Sequence, residues 1–263
     1  MAHGAPRIEE LKDAMPLPGN FEPAPDLLAG RAVLVTGASG GLGRAVSLAC
    51  ARAGAHVILM GRNSAKLDRL YDEIEALGAP QPATAVLDLA AATAADYDRL
   101  AETIEKEFGK LDGLVHAAAL LGDRTPLEQY DVPTWCRVLH VNLTAPFILT
   151  QVLLPNLRNS ADASVIFVSS SVVQHPRAYW GAYAVSKTGL EAIRSMLVQE
   201  LEGDKNIRIN SINPGRMRTP MRAAAYPAED PNTVPNPASV ANSFLQLLSA
   251  QGRNINGQYF DAQ

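Results

Sequence analysis

A tyrosine and a lysine lie four residues apart in the segment Tyr183-Ala-Val-Ser-Lys187. Residues at positions i and i+4 share one face of a helix, so the two side chains are predicted to be neighbours. A free tyrosine has a pKa of about 10, and a nearby ammonium group lowers it by favouring the phenolate. The pair could therefore act as a general acid or base on a substrate oxygen near neutral pH. On its own, the pattern is also typical of an ordinary surface helix.

Two polar residues upstream strengthen the catalytic interpretation. Ser170 follows a predicted buried strand, thirteen residues before Tyr183, and Asn142 lies in the helix before that strand. Ligands of open parallel sheets bind at the carboxyl ends of the strands, where Ser170 is expected. The neighbouring Ser169 and Ser171 make the assignment depend on this spacing, and Ser171 stays an alternative.

A glycine-rich turn, Thr36-Gly-Ala-Ser-Gly-Gly-Leu-Gly43, joins the first predicted strand to a helix. Glycines let backbone N–H groups approach a pyrophosphate, and the start of the helix adds a partial positive charge. The Lys-Ser/Thr pair of a P-loop is missing, which disfavours an ATPase. The residues predicted to contact a dinucleotide here are Gly37, Ser39, Gly41, Leu42 and Gly43.

The second predicted strand ends in Met60-Gly-Arg62-Asn63. Dinucleotide folds that prefer NAD place a carboxylate at this position to bind the ribose hydroxyls. This chain has an arginine instead, and a guanidinium can bind a 2′-phosphate through paired hydrogen bonds. The sequence therefore predicts NADP(H) in preference to NAD(H), with a solvated residue at a helix start as the alternative role for Arg62.

Taken together, these motifs resemble the short-chain dehydrogenase/reductase family, whose cofactor turn reads T-G-x-x-x-G-x-G. The resemblance covers about residues 30–261, and two segments, His116-Ala-Ala-Ala-Leu-Leu-Gly-Asp123 and Phe260-Asp-Ala-Gln263, look most like a bacterial subgroup of uncharacterised oxidoreductases.

The resemblance implies a role for each catalytic candidate. Tyr183 would exchange a proton with the substrate oxygen, and Ser170 would polarise that oxygen. Lys187 would lower the pKa of the tyrosine and bind the nicotinamide ribose, while Asn142 would hold a water molecule in a proton relay. The nicotinamide would supply the hydride.

The same resemblance implies further cofactor contacts. Asp88 and Leu89 would lie at the adenine, and the segment Pro214-Gly215-Arg-Met-Arg-Thr219 matches the family's P-G-x-x-x-T element. The family's usual N-A-G is Ala117-Ala118-Ala119 here, with Ala118 at the cofactor. This departure predicts a modest loss of local stability or cofactor fit and removes no proton-transfer group.

These residues need a sheet to position them. Short apolar runs alternate with helical patterns about six times, which predicts right-handed crossovers and strands covered on both faces. The fold class is therefore α/β, a single-domain Rossmann-type doubly wound seven-stranded parallel sheet flanked by helices. The predicted strands cover residues 32–35, 56–60, 84–87, 112–116, 165–168, 207–212 and 258–260, and the predicted helices cover 42–53, 64–77, 94–108, 132–157, 181–202 and 237–249.

The 18 prolines mark two irregular segments. Five fall within residues 1–29 and six lie between Pro214 and Pro237, and proline does not continue regular elements. We expect a Pro-rich N-terminal extension over 1–29 and a catalytic domain over 30–263. Within that domain, residues from about 216 to 237 are expected to form a substrate lid.

The composition of the chain limits the classes of partner and site that it can have. With 23 Lys+Arg against 27 Asp+Glu the net charge is −4, which disfavours nucleic acid and anionic membranes as partners. Only two cysteines, without CxxC spacing, argue against a disulfide framework or a metal site. The chain opens with no signal-peptide pattern, and polar residues interrupt its longest charge-free run, so a cytoplasmic protein without a membrane span is expected. The resemblance further implies a homodimer or homotetramer.

The predicted function is an NADP(H)-dependent oxidoreductase that interconverts a small-molecule carbonyl and a secondary alcohol. One alternative is a catalytically idle NADP(H)-binding regulatory protein, which the Ala117 and Ala119 departures leave open. An epimerase or dehydratase of the longer related families is disfavoured, because too little chain follows the last helix to form a substrate lobe.

Overall fold

Most strands are short and buried on both faces because helices cover both sides of the sheet, whereas the edge strand Ala83–Val86 alternates half-buried and exposed residues. Along the first long strand, Val33 and Val35 face one layer of helices and Leu34 faces the other, and all three are fully buried. The same alternation continues on the neighbouring strands, so the sheet divides two apolar cores.

The computed structural model describes residues 15–16 and 21–263 of the chain. Its strands are β1 (Met15–Pro16), β2 (Ala32–Thr36), β3 (His56–Gly61), β4 (Ala83–Val86), β5 (Gly113–His116), β6 (Ala163–Val168), β7 (Ile207–Asn213) and β8 (Tyr259–Asp261). They form one parallel sheet in the order β1-β8-β7-β6-β5-β2-β3-β4. From β2 the next strands, β3 and β4, are added toward one edge of the sheet, and from β5 the strands β6, β7 and β8 are added toward the other edge. This reversal of strand order between β2 and β5 confirms the predicted doubly wound fold.

The helices are α1 (Gly41–Arg52), α2 (Ser64–Ala76), α3 (Ala94–Phe108), α4 (Val132–Leu139), α5 (Ala145–Arg158), α6 (Gly181–Glu200), α7 (Pro220–Ala225) and α8 (Ala241–Leu248). Helices α1, α2 and α8 pack on one face of the sheet, and α3, α5 and α6 pack on the other. Seven of these helices lie in the six segments that the sequence predicts to be helical, because α4 and α5 fall in one of them. The short α7 lies inside the segment that the prolines marked as irregular.

The seven predicted strands are confirmed, but the sheet has an eighth. Met15 and Pro16 add a two-residue parallel strand at the open edge of β8. A strand this short has no periodicity to read, and proline is tolerated at a sheet edge because no partner needs its missing N–H.

The predicted extension over residues 1–29 is described only at 15–16 and 21–29. Within it, Leu28 is fully buried, and its N–H donates a 2.7 Å hydrogen bond to the carbonyl of Ala53 at the end of α1. Phe21 and Leu27 pack against the same core. The packed domain therefore begins a few residues before position 30.

A π-helical turn, His140–Thr144, joins α4 to α5 in one helix over Val132–Arg158. In the described part of the chain, this helix is long and apolar enough to cross a membrane by length and composition alone, a test that core helices of soluble proteins also pass. Here Leu149, Leu153 and Leu157 are buried in the core beside β5 and β6.

Candidate active site

A cavity of about 800 Å³ lies where the chain leaves the carboxyl ends of β2–β7. It spans the point between β2 and β5 where the strand order reverses, the usual ligand site of such sheets. Residues from every predicted motif line it. They are Gly37, Ser39, Gly41, Leu42, Gly43, Arg62, Asp88, Leu89, Ala118, Ser170, Tyr183, Lys187, Pro214, Gly215 and Thr219. Of the predicted site residues, Asn142 alone is absent from this lining.

Tyr183 lies in the first turn of α6, and Ser170 follows the end of β6. The two side chains are hydrogen-bonded to each other, and the tyrosine is 8% exposed. Helix α6 begins at Gly181, whose φ is +22°, and a Cβ there would lie 2.5 Å from the ring of Tyr130. The glycine therefore lets the start of the helix pack close enough to bring Tyr183 beside Ser170.

Lys187 lies one turn after Tyr183, as the four-residue spacing predicts. Its ammonium is 5.7 Å from the centre of the tyrosine ring and donates a 2.7 Å hydrogen bond to the carbonyl of Val168. The side chain is 2% exposed. Burial lowers the pKa of Lys187 to about 8, and the negative charge of Glu191 on the next turn acts in the opposite direction.

The pKa of the tyrosine differs from the sequence prediction. Burial raises the pKa of Tyr183 above its usual value, and the hydrogen bond with Ser170 partly offsets this effect. The sequence indicated a pKa lowered by Lys187, because a spacing of residues shows which groups are close and does not show how far they are removed from water. Among the effects on the pKa of Tyr183, desolvation by the surrounding protein is the largest.

Asn142 lies in the π-helical turn, fully buried behind the cavity. Its Oδ1 accepts a 2.7 Å hydrogen bond from the N–H of Leu120, and its Nδ2 donates to the Leu120 carbonyl at 2.8 Å and to the Ser186 hydroxyl at 3.1 Å. The amide thus fixes the segment after β5 against α6. The water relay implied for Asn142 stays a prediction.

The glycine turn packs tightly against two other segments of the cavity wall. Gly37 has φ +63°, and a Cβ there would lie 2.9 Å from Cα of Ala118. A Cβ on Gly41 would lie 2.5 Å from Cγ2 of Thr219. Helix α1 starts without a side-chain cap, so its first backbone N–H groups face the cavity without a side-chain partner. An anion bound there would accept hydrogen bonds from these N–H groups.

Two cations follow β3 at the same cavity. Arg62 and Lys66 are both exposed and line it, and Asn63 between them caps α2 by accepting a 2.9 Å hydrogen bond from the N–H of Lys66. The sequence pattern predicts Arg62 as a cofactor contact and does not predict Lys66. The available signal was a second basic residue in the first turn of the helix that follows this strand end.

The Ala117-Ala118-Ala119 departure leaves a link between β2 and β5 in place. The N–H of Ala118 donates a 3.0 Å hydrogen bond to Oγ1 of Thr36, the last residue of β2.

Asp88 accepts a 3.0 Å hydrogen bond from the N–H of Ala90, which shapes the segment after β4.

His116, the last residue of β5, is packed as a strand residue. Its Nε2 lies 2.9 Å from the Thr150 hydroxyl, and its ring stacks on Phe167 with centroids 4.8 Å apart. Burial lowers the pKa of His116 to about 3, with the nearby Lys187 charge acting in the same direction, so the ring is neutral. Among the described residues, no group of three or more His, Cys, Asp or Glu side chains is arranged to hold a metal ion.

The Pro214–Thr219 element is held by Gln263, which the sequence analysis did not connect with it. Gln263 Nε2 donates 2.9 Å hydrogen bonds to the carbonyls of Pro214 and Arg216. Gly215 between them has φ +72°, and a Cβ there would lie 2.6 Å from Gln263. No spacing rule links residues so far apart in sequence, and only the return of β8 beside β7 brings them together.

Known proteins share both the sequence and the fold. Residues 31–230 match the family model described as short chain dehydrogenase. The chain is 43% identical to the uncharacterised oxidoreductase YciK of Escherichia coli K12 over 244 residues, 93% of this chain and 96% of that protein.

Two solved structures are similar along nearly their whole length. One, a short chain dehydrogenase from Pseudomonas syringae, has a TM-score of 0.91 and 48% identity, covering 93% of this chain and 99% of that one. The other, a short chain dehydrogenase from Escherichia coli CFT073 complexed with NADPH, has a TM-score of 0.89 and 44% identity, covering 92% and 100%. The chain therefore belongs to the short-chain dehydrogenase family of oxidoreductases, and it is similar to a bacterial subgroup of uncharacterised oxidoreductases.

Proposed function

We propose that this protein is an NADP(H)-dependent oxidoreductase that interconverts a small-molecule carbonyl and a secondary alcohol. The observation that carries the proposal is the meeting of two sites in one cavity. The Ser170–Tyr183 hydrogen bond and Lys187 lie at one end, and the glycine turn with Arg62 lies at the other.

The cavity residues fit a bound dinucleotide. The uncapped start of α1 would bind the pyrophosphate, and Asp88 with Leu89 would lie at the adenine. Arg62 and Lys66 would bind a 2′-phosphate, and β3 ends without a carboxylate to bind the 2′-hydroxyl of NAD. The similar structure complexed with NADPH supports the binding of this cofactor.

The nicotinamide, when bound, supplies or accepts the hydride. In the reductive direction, the Ser170 hydroxyl donates a hydrogen bond to the substrate carbonyl, and Tyr183 gives its proton to that oxygen. In the oxidative direction, the phenolate takes the proton from the alcohol. The positive charge of Lys187 stabilises the phenolate, and Lys187 would also bind the nicotinamide ribose.

The substrate end of the cavity is mostly apolar and aromatic. Its wall includes Leu121, Val172, Trp180, Met221 and Tyr226, with Arg177 at the same end. Residues 216–237, the lid segment hereafter, supply part of this wall through α7. A carbonyl compound with an apolar body fits this lining, and the lid segment would close over it.

The protein is further proposed to be a cytoplasmic homodimer or homotetramer that uses neither nucleic acid nor a membrane. The family resemblance implies a subunit contact through the helices that are α5 and α6 here, and large apolar side chains remain exposed on both: Phe147 on α5, and Val185 and Met196 on α6. Sedimentation of the purified protein tests this, and a single 28.1 kDa species would contradict it.

The decisive experiment follows NADPH oxidation over ketones, aldehydes and quinones, with the Tyr183→Phe variant as control. We expect turnover of at least one class, and loss of turnover in the variant while NADPH binding stays nearly unchanged. Unchanged turnover in the variant would refute the role of the tyrosine. Tight NADPH binding without turnover across the whole panel would instead support the idle regulatory protein.

A further inference from the structure

Four side chains stack at the substrate end of the cavity. The guanidinium of Arg124 lies 4.3 Å from the ring centre of Trp180 and 5.4 Å from that of Tyr226. Arg222 lies 3.7 Å from the same Tyr226 ring, and it makes a bidentate ion pair with Glu229, at 2.6 and 2.7 Å. The Trp180 and Tyr226 rings also contact each other, with centroids 6.1 Å apart, so Arg124 lies over both rings and Arg222 lies over Tyr226. Cations over aromatic faces attract the ring quadrupole, so this stack is mutually stabilising.

Arg124 also makes hydrogen bonds to two backbone segments. Its Nε donates at 3.1 Å to the carbonyl of Tyr179, in the segment before α6, and one terminal nitrogen donates at 2.8 Å to the carbonyl of Ala225, the last residue of α7. One guanidinium thus joins the lid segment to the segment that leads into the catalytic helix.

The joined position before α6 is strained. Tyr179 has φ +70°, a left-handed conformation that non-glycine residues rarely adopt. Such a conformation persists only where surrounding contacts hold it. The hydrogen bond from Arg124 is one such contact, and the ring of Trp180, the next residue, lies against the guanidinium.

The segment that carries Arg124 is itself fixed. The hydroxyl of Tyr130 accepts a 3.0 Å hydrogen bond from the N–H of Asp123, and the amide of Asn142 holds both backbone polar groups of Leu120. Arg124 therefore extends from a rigid base, and the two segments it contacts are positioned relative to that base.

The stack reaches the catalytic tyrosine, because the ring of Trp180 lies 5.6 Å from that of Tyr183. We propose that Arg124 is a positioning residue that holds the lid segment against the start of α6 and sets the place of Trp180 and Tyr226 beside Tyr183. A lysine would keep the charge, but it has neither a planar group that lies over both rings nor a fork that reaches two carbonyls.

The consequence for turnover rests on the proposed function, whereas the positioning itself can be measured without turnover. The chain has two tryptophans, so a Trp135→Phe background leaves Trp180 as the single fluorescent reporter. In this background we compare Arg124→Gln and Arg124→Lys with Arg177→Gln, a matched change near Tyr179. The Arg177 side chain is exposed and has no hydrogen-bond or ion-pair partner among the described residues.

We expect both Arg124 variants, and not Arg177→Gln, to shift the Trp180 emission to longer wavelength. We also expect amide exchange in residues 220–226 and 178–181 to be about tenfold faster, because each loses contacts that hold it. Emission and exchange equal to those of the background protein in both Arg124 variants would overturn the proposal. A global loss of protection would show a folding defect, and Arg124→Lys, which keeps the charge, then supplies the test.

Kinetics separate this inference from the proposed function. If a substrate is found, Arg124→Lys should raise KM for that substrate more than tenfold while the Kd for NADPH stays nearly unchanged, since Arg124 is not among the residues that line the cavity and would bind the cofactor. If no substrate is found, the proposed function fails, and the fluorescence and exchange results still decide the role of Arg124. An unchanged KM together with altered emission would contradict the link between the stack and the substrate.

Discussion

The ammonium of Lys187 donates a 2.7 Å hydrogen bond to the carbonyl of Val168, the last residue of β6. This contact ties the second turn of α6 to the strand end from which Ser170 follows. The positions of the tyrosine and the serine are therefore fixed by the same lysine that is expected to act on the phenolate. Because this contact buries the lysine, the ionisation of Lys187 affects the stability of the folded protein.

The burial of Lys187 should make stability depend on pH. Burial lowers its pKa in the folded protein to about 8, from the usual lysine value of 10.5. Between these values the unfolded chain binds the proton and the folded protein does not, so stability rises with pH across this window and is lowest below pH 8. Relative to Lys187→Met, the free energy of unfolding should rise by about 2 kcal/mol from pH 8 to pH 9.5. Denaturant unfolding of both proteins measures this, and parallel pH curves would contradict it.

The buried ion pair on the inner face of α6 gives a prediction about stability. Arg194 and Glu191 are 2.9 Å apart with side chains 3% and 2% exposed, and Ser211 donates a 2.8 Å hydrogen bond to the same carboxylate oxygen. Arg194→Met would leave Glu191 buried without its partner and should lower the free energy of unfolding by about 3–5 kcal/mol. The matched control is Arg99→Met, because Arg99 forms a pair of the same spacing with Asp96 at the surface. Equal losses of stability in the two variants would contradict the burial argument.

The hydroxyl of Ser170 should matter more than those of its neighbours. Removing it in Ser170→Ala takes away the hydrogen bond that opposes the burial-raised pKa of Tyr183, as well as the proposed donor to the substrate oxygen. We expect kcat to fall about 10²–10³-fold, the usual effect of losing one such donor. Ser171→Ala, which changes an exposed hydroxyl at the same cavity, should have a much smaller effect. The reverse order would assign the role to Ser171, the alternative that the sequence left open.

Much of this site follows from the sequence, for a definite reason. The proposed catalytic residues and the glycine turn are local patterns near predicted strand ends, and a parallel sheet brings all strand carboxyl ends to one edge. The pairing of Gln263 with Pro214 and the reach of Arg124 to Ala225 join residues far apart in the chain. No periodicity encodes such contacts. The two-residue β1 and the six-residue α7 are too short to show a pattern of their own.

The two cations after β3 should discriminate between the cofactors. Arg62→Gln and Lys66→Gln should each weaken NADPH binding by about tenfold or more, since each would remove a proposed charge-assisted contact to the 2′-phosphate. The Kd for NADH should stay nearly constant, because NADH lacks that phosphate. Arg44→Gln is the control, as Arg44 is engaged with Glu73 and does not line the cavity. Titration by cofactor fluorescence measures both constants, and equal losses for NADPH and NADH would contradict the assignment.

The contact between Gly41 and Thr219 can be tested by a paired substitution. In Gly41→Ala the new Cβ would lie 2.5 Å from Cγ2 and 3.0 Å from Cβ of Thr219, so the glycine turn or the lid segment must move. Gly41 starts α1 and does not have a positive φ, so the effect is steric and not conformational. We expect a weaker affinity for NADPH in the single variant.

Thr219→Ser removes the nearer of these two atoms and keeps the hydroxyl that caps α7 through its 3.2 Å hydrogen bond with the N–H of Arg222. The double variant Gly41→Ala with Thr219→Ser should therefore recover part of the lost affinity, whereas Thr219→Ser alone should change it little. Because the two residues touch, their effects on the free energy of NADPH binding should not add. Additive effects in this double-mutant cycle would show that the turn adapts by moving away from the lid segment.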